Sequence, residues 1–252
     1  MAEARYFFIS PPAGEPGIVS LDGAEFHHLA NVCRVRAGER VWLLDGRGTI
    51  YDALVELVGP REARLRVTRA THAPAQPPVD IALAVLKAPR FDLALEKCTE
   101  IGVRRFVPFA AARSVWRADP SSAGAKLERM KRKVAAACKQ SGQPYLPAVE
   151  EVSDFDGLVS RLGAYERVFV AERDAVLAQA GAGASGGPVL GIVGPEGGFE
   201  PEEARSLAGA GAVELSLGPF RLRSETAAVC LVYRLVSDFF AAGAVGAVGA
   251  TP

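Results

Sequence analysis

The spacing of apolar and polar positions changes along the chain, and the change divides it. Before residue 70, apolar residues recur in short runs. Val41–Asp45, Tyr51–Val58 and Ala63–Thr68 are rich in β-forming residues and bounded by Gly, Pro or Asp, which predicts strands. In the last run Leu65 and Val67 alternate with Arg64 and Arg66, so one face is apolar and the other carries two arginines. A helix over about Ala24–Cys33 interrupts the strands. The first seventy or so residues therefore predict a small β-barrel.

Further along, strand-like runs alternate with helical spacing. Ile81–Leu86, Phe106–Ala110, Val168–Ala171, Val189–Val193 and Val213–Leu217 predict strands. Phe91, Leu95, Cys98 and Ile101 recur at helical intervals, and Gly102 suits the C-cap that ends such a helix. Helices are also predicted over Ser121–Ser141 and Ser224–Ala241, with another opening at Pro201. Strands alternating with helices predict an α/β fold, a mostly parallel sheet covered on both faces. Between the two parts, Thr71–Val79 holds three prolines in nine residues without an apolar period and reads as a linker. The expected divisions are residues 1–72, 73–242 and a low-complexity tail over 243–252 that frays.

Composition fits this picture. Of 252 residues, 49% are hydrophobic and 23% charged, as in a globular chain. No apolar run approaches the ~20 residues that span a bilayer. The N-terminus lacks a basic stretch followed by an apolar one, so no secretion signal or membrane association is expected and the chain is placed in the cytoplasm. Cys33, Cys98, Cys138 and Cys230 form no CxxC pair and no zinc ligand set, so no metal is expected. They read as buried free thiols of a reducing compartment.

The net charge is zero, but it is unevenly spread. Residues 71–150 carry thirteen basic and seven acidic side chains, and residues 151–252 carry seven basic and thirteen acidic. Much of the positive charge lies on the Ser121–Ser141 helix, at Lys126, Arg129, Lys131, Arg132, Lys133 and Lys139. Such a helix is either a face for a phosphate backbone or a solvated charged surface.

Three stretches suggest chemistry. Gly194-Pro195-Glu196-Gly197-Gly198-Phe199 follows a strand and precedes the helix at Pro201, so it forms a glycine loop where open α/β sheets bind ligands. Leu217-Gly218-Pro219-Phe220-Arg221-Leu222-Arg223-Ser224-Glu225-Thr226 also leads from a strand into a helix. Ser224 suits the N-cap and Glu225 the positive first turn, while Arg221 and Arg223 could bind a phosphate or base edge. The third runs from Lys97 through Glu100-Ile101-Gly102-Val103 and Pro108 to Arg113-Ser114-Val115, with Arg113 either a functional cation or half of a structural salt bridge. Gly181–Gly186 matches GxGxxG, but the helix precedes it and the strand follows, the reverse of a dinucleotide fingerprint, so it reads as a loop. No P-loop is present.

Together with the Arg5-Tyr6-Phe7-Phe8 start, His27-His28-Leu29 and Val32-Cys33-Arg34, these stretches resemble the RsmE family of 16S rRNA uridine N3-methyltransferases, of the SPOUT class. The resemblance spans nearly the whole chain in order. It implies a PUA-like, RNA-binding β-barrel over 1–72 and a trefoil-knotted SPOUT domain over 73–242, in a homodimer acting on 16S rRNA within the 30S subunit. It implies S-adenosyl-L-methionine as cofactor, held by Gly194, Pro195, Glu196, Gly197, Gly198, Leu215, Leu217, Gly218, Leu222, Arg223 and Thr226, with Pro108 and Phe109 nearby. RNA contacts are expected at Arg5, Arg34, Arg36, Arg64, Arg66 and Lys87. The chain departs from the family pattern at Lys139 and Gln143, where glutamate and arginine are usual, and at Phe220-Arg221, where a basic-aliphatic pair is usual.

Methylating uridine N3 requires removal of its proton or stabilisation of the deprotonated imide. Arg223 and Arg113 are candidates for stabilising charge on the uracil oxygens, and Glu225 or Glu196 for accepting the proton. Three alternatives remain: a ribose 2′-hydroxyl methyltransferase of the same class, a non-catalytic ribosome-assembly factor, and an enzyme binding another adenine nucleotide. The absent P-loop and the reversed GxGxxG disfavour the last.

Overall fold

The computed structural model describes residues 5–9, 17–114, 123–173, 175 and 186–241. The chain forms two compact units, Met1–Ala75 with Cys138–Leu146, and Gln76–Ala137 with Pro147–Pro252.

In the first unit, β1 (Tyr6–Phe8), β2 (Ile18–Leu21), β3 (Arg40–Leu44), β4 (Thr49–Val58) and β5 (Ala63–His72) form one sheet in the order β1-β3-β4-β5-β2. The β1–β3 pair is parallel and the others antiparallel. Phe7 from one edge strand and Val19 and Leu21 from the other share an apolar core with Leu43, Val55 and Leu65, so the sheet curls around its own interior. The expected barrel is this curled mixed sheet. Along β5, buried Leu65 and Val67 alternate with exposed Arg64 and Arg66, as the sequence predicts. The strand runs past Thr68 into the expected linker because β4 pairs with it as far as Thr49 opposite His72.

The expected helix over Ala24–Cys33 is a short α1 (Gly23–His27) continued by a π-helical turn, His28–Val32. Arg34 then takes the left-handed backbone conformation, with φ 52°. Cys138–Leu146 is tied into this unit by polar contacts. Tyr145 donates its hydroxyl to Pro74 O at 3.0 Å, and Lys139 donates to Glu25 Oε1 at 2.8 Å.

In the second unit, β6 (Val79–Ala84), β7 (Arg105–Phe109), β8 (Ala148–Val149), β9 (Arg167–Ala171), β10 (Val189–Val193) and β11 (Val213–Leu215) form a parallel sheet in the order β11-β9-β10-β6-β7-β8. The helices are α2 (Ala88–Ile101), α3 (Ala123–Ser141), α4 (Phe155–Val159), α5 (Pro201–Gly209) and α6 (Ser224–Ala241); the last turn of α3 belongs to the first unit. Every residue of β6 is buried, because both faces are covered. Ile81 and Leu83 pack with Phe91 and Leu95 of α2 and Leu231 and Leu235 of α6. Ala82 and Ala84 pack with Leu158 of α4 and Leu207 of α5 on the opposite face. The late strand β10 lies between the earlier β6 and β9, an order compatible with the knotted path that the resemblance implies. A Cβ at Gly191 would stand 2.7 Å from Leu231, so glycine lets α6 close onto the sheet.

The amino ends of the strands carry a polar cluster. Arg104 grips buried Asp80 through two hydrogen bonds of 2.8 and 2.9 Å, and the Tyr165 hydroxyl donates to the same carboxylate at 2.9 Å. Burial, with the adjacent Asp80 charge, pushes the Tyr165 phenol up. The reversed GxGxxG (Gly186 apart), the 243–252 tail and Val115 lie outside the described residues.

Candidate active site

The carboxyl ends of β9, β10 and β11 are where open α/β sheets place ligands. A cavity of about 340 Å³ lies among the segments that follow these strands, with Arg90 of α2 on its wall. That volume falls in the lower part of the range for small-molecule sites, roughly 300–1,000 Å³.

The glycine loop after β10 is built in steps. Gly198 takes φ 72°, and its N–H donates to Pro195 O at 2.9 Å to close the turn. Pro201 then opens α5, with a capping box between Glu200 and Glu203. Arg113 donates to both oxygens of Glu200, at 2.8 and 3.0 Å, and to Gly197 O at 2.9 Å. Buried Glu203 accepts from Ala112 N at 2.8 Å. These bonds fasten the segment after β7 to the glycine loop. A Cβ at Gly197 would stand 3.2 Å from the Arg113 side chain, so glycine leaves that arginine its place. Of the two readings of Arg113, the contacts give the salt bridge.

Phe199 on the wall stacks on buried Phe109, with ring centroids 6.3 Å apart. In the segment after β11, Gly218 takes φ 137°, a conformation that favours glycine, and a Cβ there would meet nothing within 4 Å. Arg221 donates to Glu196 O at 3.1 Å, joining this segment to the glycine loop. Arg90 donates to Glu196 Oε1 at 3.1 Å, and its Nε stands 3.7 Å from Glu225 Oε1. The Oε2 atoms of Glu196 and Glu225 are buried without a hydrogen-bond partner.

Of the residues predicted for the cofactor, Gly194, Pro195, Glu196, Leu217, Gly218, Leu222 and Arg223 line the wall. Gly197 and Gly198 shape the loop without lining it, Pro108, Phe109 and Leu215 are buried off the wall, and Thr226 is exposed in the first turn of α6. Arg223 is exposed on the wall. Glu225 is buried beside Arg90 rather than on the wall. Arg90 and Ala171–Arg173 were not anticipated as wall residues. Arg90 stands in the first turn of α2, where the helix dipole disfavours a cation, and that oddity is the signal that could have found it.

Among the predicted RNA contacts, Arg34, Arg36 and Arg64 are exposed, while Arg5 pairs with Glu39 at 3.2 Å and Arg66 pairs with Glu56. Lys87 is exposed immediately before α2. On α3, Arg129, Lys131 and Lys133 pair with Asp92, Glu128 and Glu96, which favours the solvated-surface reading of that helix. The unusual Lys139 is accounted for by its bond to Glu25. All four cysteines are free; Cys98 and Cys138 are buried, and burial pushes the Cys138 thiol up to about 12. Among the described residues, no cluster of His, Cys, Asp and Glu could hold a metal ion, and no helix is long and apolar enough to cross a membrane.

Residues 74–236 match the model of the RNA methyltransferase domain, and residues 21–68 that of the RNA methyltransferase PUA domain. The ribosomal RNA small subunit methyltransferase E of Mycobacterium bovis is 35% identical over 232 residues, covering 89% of this chain and 88% of its own. The chain belongs to the RsmE family of RNA methyltransferases. The enzyme of the same name from Bacillus subtilis is 30% identical, over 82% of this chain and 85% of its own. The fold agrees as well. A crystal structure of a ribosomal RNA small subunit methyltransferase E from Neisseria gonorrhoeae, bound to S-adenosyl methionine, superposes with a TM-score of 0.83 at 24% identity, covering 93% of this chain and 97% of that one. As an RsmE member the chain has the expected α/β domain and PUA domain.

Proposed function

We propose that this protein uses S-adenosylmethionine to methylate N3 of a uridine in 16S rRNA, acting on the 30S subunit in the cytoplasm as a homodimer. The observation that carries this reading is the cavity at the strand ends, walled by the glycine loop and the Leu217–Arg223 segment, in a chain 35% identical to a small-subunit rRNA methyltransferase.

The residues present fit the cofactor. The wall combines apolar Val193, Leu217 and Leu222 with the carboxylates of Glu172 and Glu196 and the guanidinium groups of Arg90, Arg173, Arg221 and Arg223, a surface suited to a zwitterionic ligand with an apolar body. Gly218 keeps space open where a side chain would project. When bound, S-adenosylmethionine supplies an electrophilic methyl on a sulfonium. The protein's contribution is orientation, worth on the order of 7–11 kcal/mol when reacting atoms are held in line.

Arg223, exposed on the wall, is assigned to the uracil oxygens, where it offsets the charge that develops as N3 loses its proton. Of the two candidate proton acceptors, Glu196 lines the wall, whereas Glu225 is buried off it. We therefore assign the proton to Glu196 and the holding of Arg90 to Glu225. Exposed Arg34 and Arg36, in the loop before β3, and Arg64 of β5 are assigned to the RNA backbone.

Calorimetric titration with S-adenosylmethionine tests the cofactor site. The wild type should bind, and Gly218→Val, which adds both bulk and backbone strain at the wall, should weaken binding at least tenfold. Equal affinity in the two proteins would place the cofactor elsewhere.

A further inference from the structure

Phe220 stands apart from the rest of the wall. It lines the cavity yet is 81% exposed, more than any other large hydrophobic side chain among the described residues. Single exposed apolar residues are common and need no explanation by themselves. Phe220 is different because of where it is held. Gly218 turns the chain before it through φ 137°, Pro219 fixes the next φ, and on its other side Arg221 is bonded to Glu196 O at 3.1 Å. The backbone that carries the ring is held at the cavity by its neighbours in sequence, while the ring itself is not packed.

We propose that Phe220 is the stacking platform for the target nucleobase, an unpaired uracil delivered by RNA. The inference rests on the methyltransferase reading above and extends it to how the base is held. N3 lies in the plane of the uracil ring, on the edge between the two carbonyls. An in-line transfer requires that edge to face the cavity, which leaves both faces of the base turned sideways. Proteins cover such faces with aromatic rings. Among the described residues, two aromatic rings line the wall, Phe199 and Phe220. Phe199 is committed to Phe109 and Phe155, with ring centroids 6.3 and 6.2 Å away, so the open ring is Phe220. Arg223, three residues on, lines the same wall, where it is assigned to the oxygens of the base.

The test is steady-state methylation of 30S subunits by wild type, Phe220→Ala, Phe220→Leu and Phe220→Trp, with S-adenosylmethionine affinity and oligomeric state measured for each. Loss of one base–aromatic stack should lower kcat/KM for RNA about 10- to 100-fold in Phe220→Ala and Phe220→Leu. Phe220→Trp should stay within about threefold of wild type, and cofactor affinity and oligomeric state should not move. Full activity in Phe220→Leu would overturn the proposal, since any apolar side chain would then serve. So would unchanged activity in Phe220→Ala, weaker cofactor binding in that variant, or its dissociation into smaller species. A wild type that methylates no uridine would instead overturn the underlying reading, and this inference with it.

Discussion

Arg90 Nε stands 3.7 Å from Glu225 Oε1, and this ion pair joins the first turn of α2 to the first turn of α6. The same guanidinium reaches Glu196 on the glycine loop. One side chain thus ties together three elements that meet at the cavity. Its two carboxylate partners differ: the Glu225 side chain is 7% exposed and that of Glu196 is 27% exposed.

Removing Arg90 should therefore act mainly through Glu225, whose charge would remain buried without a cation. Arg90→Ala should lose about 1–3 kcal/mol in urea unfolding, the cost of leaving a buried polar group unsatisfied. Glu225→Gln in the same background should recover part of the loss, because the stranded charge is then gone. An Arg90→Ala protein as stable as wild type would contradict this role.

Arg113 predicts a different pattern. It is 44% exposed and its partner Glu200 is 42% exposed, so the pair should contribute less than about 1 kcal/mol to stability. Its geometry matters more, since it grips Glu200 with two bonds and Gly197 O with a third. Arg113→Ala should leave the urea midpoint nearly unchanged and weaken S-adenosylmethionine binding several-fold in calorimetry. Lysine should not restore it, because one ammonium cannot reproduce the planar fork.

How far the sequence exposes these features depends on how local their causes are. β10 and α6 match the expected ranges, because an apolar run or helical period bounded by turn residues is a local signal. β11 ends at Leu215, two residues short of the expected strand, where it leaves its partner β9 at Ala171. β2, β8 and α4 carried no clear pattern, being only 4, 2 and 5 residues long. The return of Cys138–Leu146 to the first unit left no mark in composition, since Lys139 and Glu25 meet across 114 positions. For the same reason the glycine loop was legible and the pairing of Arg90 was not: Arg90 and Glu196 are 106 positions apart.

At the opposite end of the sheet, Arg104 and Asp80 should matter for stability alone. The Asp80 side chain is 1% exposed and that of Arg104 is 34% exposed, so removing the arginine leaves the buried carboxylate to the Tyr165 hydroxyl at 2.9 Å and to Arg105 Nε at 3.7 Å. Arg104→Ala should destabilise the protein by about 1–3 kcal/mol in urea unfolding, the cost of losing hydrogen bonds to a buried polar group. Its cofactor affinity, measured below the unfolding transition, should equal that of the wild type. A marked change in that affinity would show that this cluster is coupled to the site.

His28 should make the first unit sensitive to acid. Burial, followed by the nearby Lys139 charge, holds its imidazole below the ordinary value of 6.5, with Glu25 acting in the opposite direction. The folded state thus resists protonation that the unfolded chain accepts. This contribution is complete above pH 6.5 and is lost as pH falls from there through the lower folded value. His28→Leu should flatten the fall in Tm between pH 7 and pH 5. Parallel Tm profiles for the two proteins would show that His28 does not set the acid sensitivity.

Methyl transfer to uridine N3 is the step that the cavity is proposed to serve. The most direct measurement is transfer of a labelled methyl group from S-adenosylmethionine to 30S subunits, followed by nucleoside digestion and identification of the labelled product, for wild type and Arg223→Ala. Wild type should give labelled 3-methyluridine, and Arg223→Ala should lose roughly 100-fold or more, the scale for removing one donor to a developing oxyanion. Label on a ribose 2′-oxygen, or no transfer to 30S subunits or free 16S rRNA, would rule out methylation at N3.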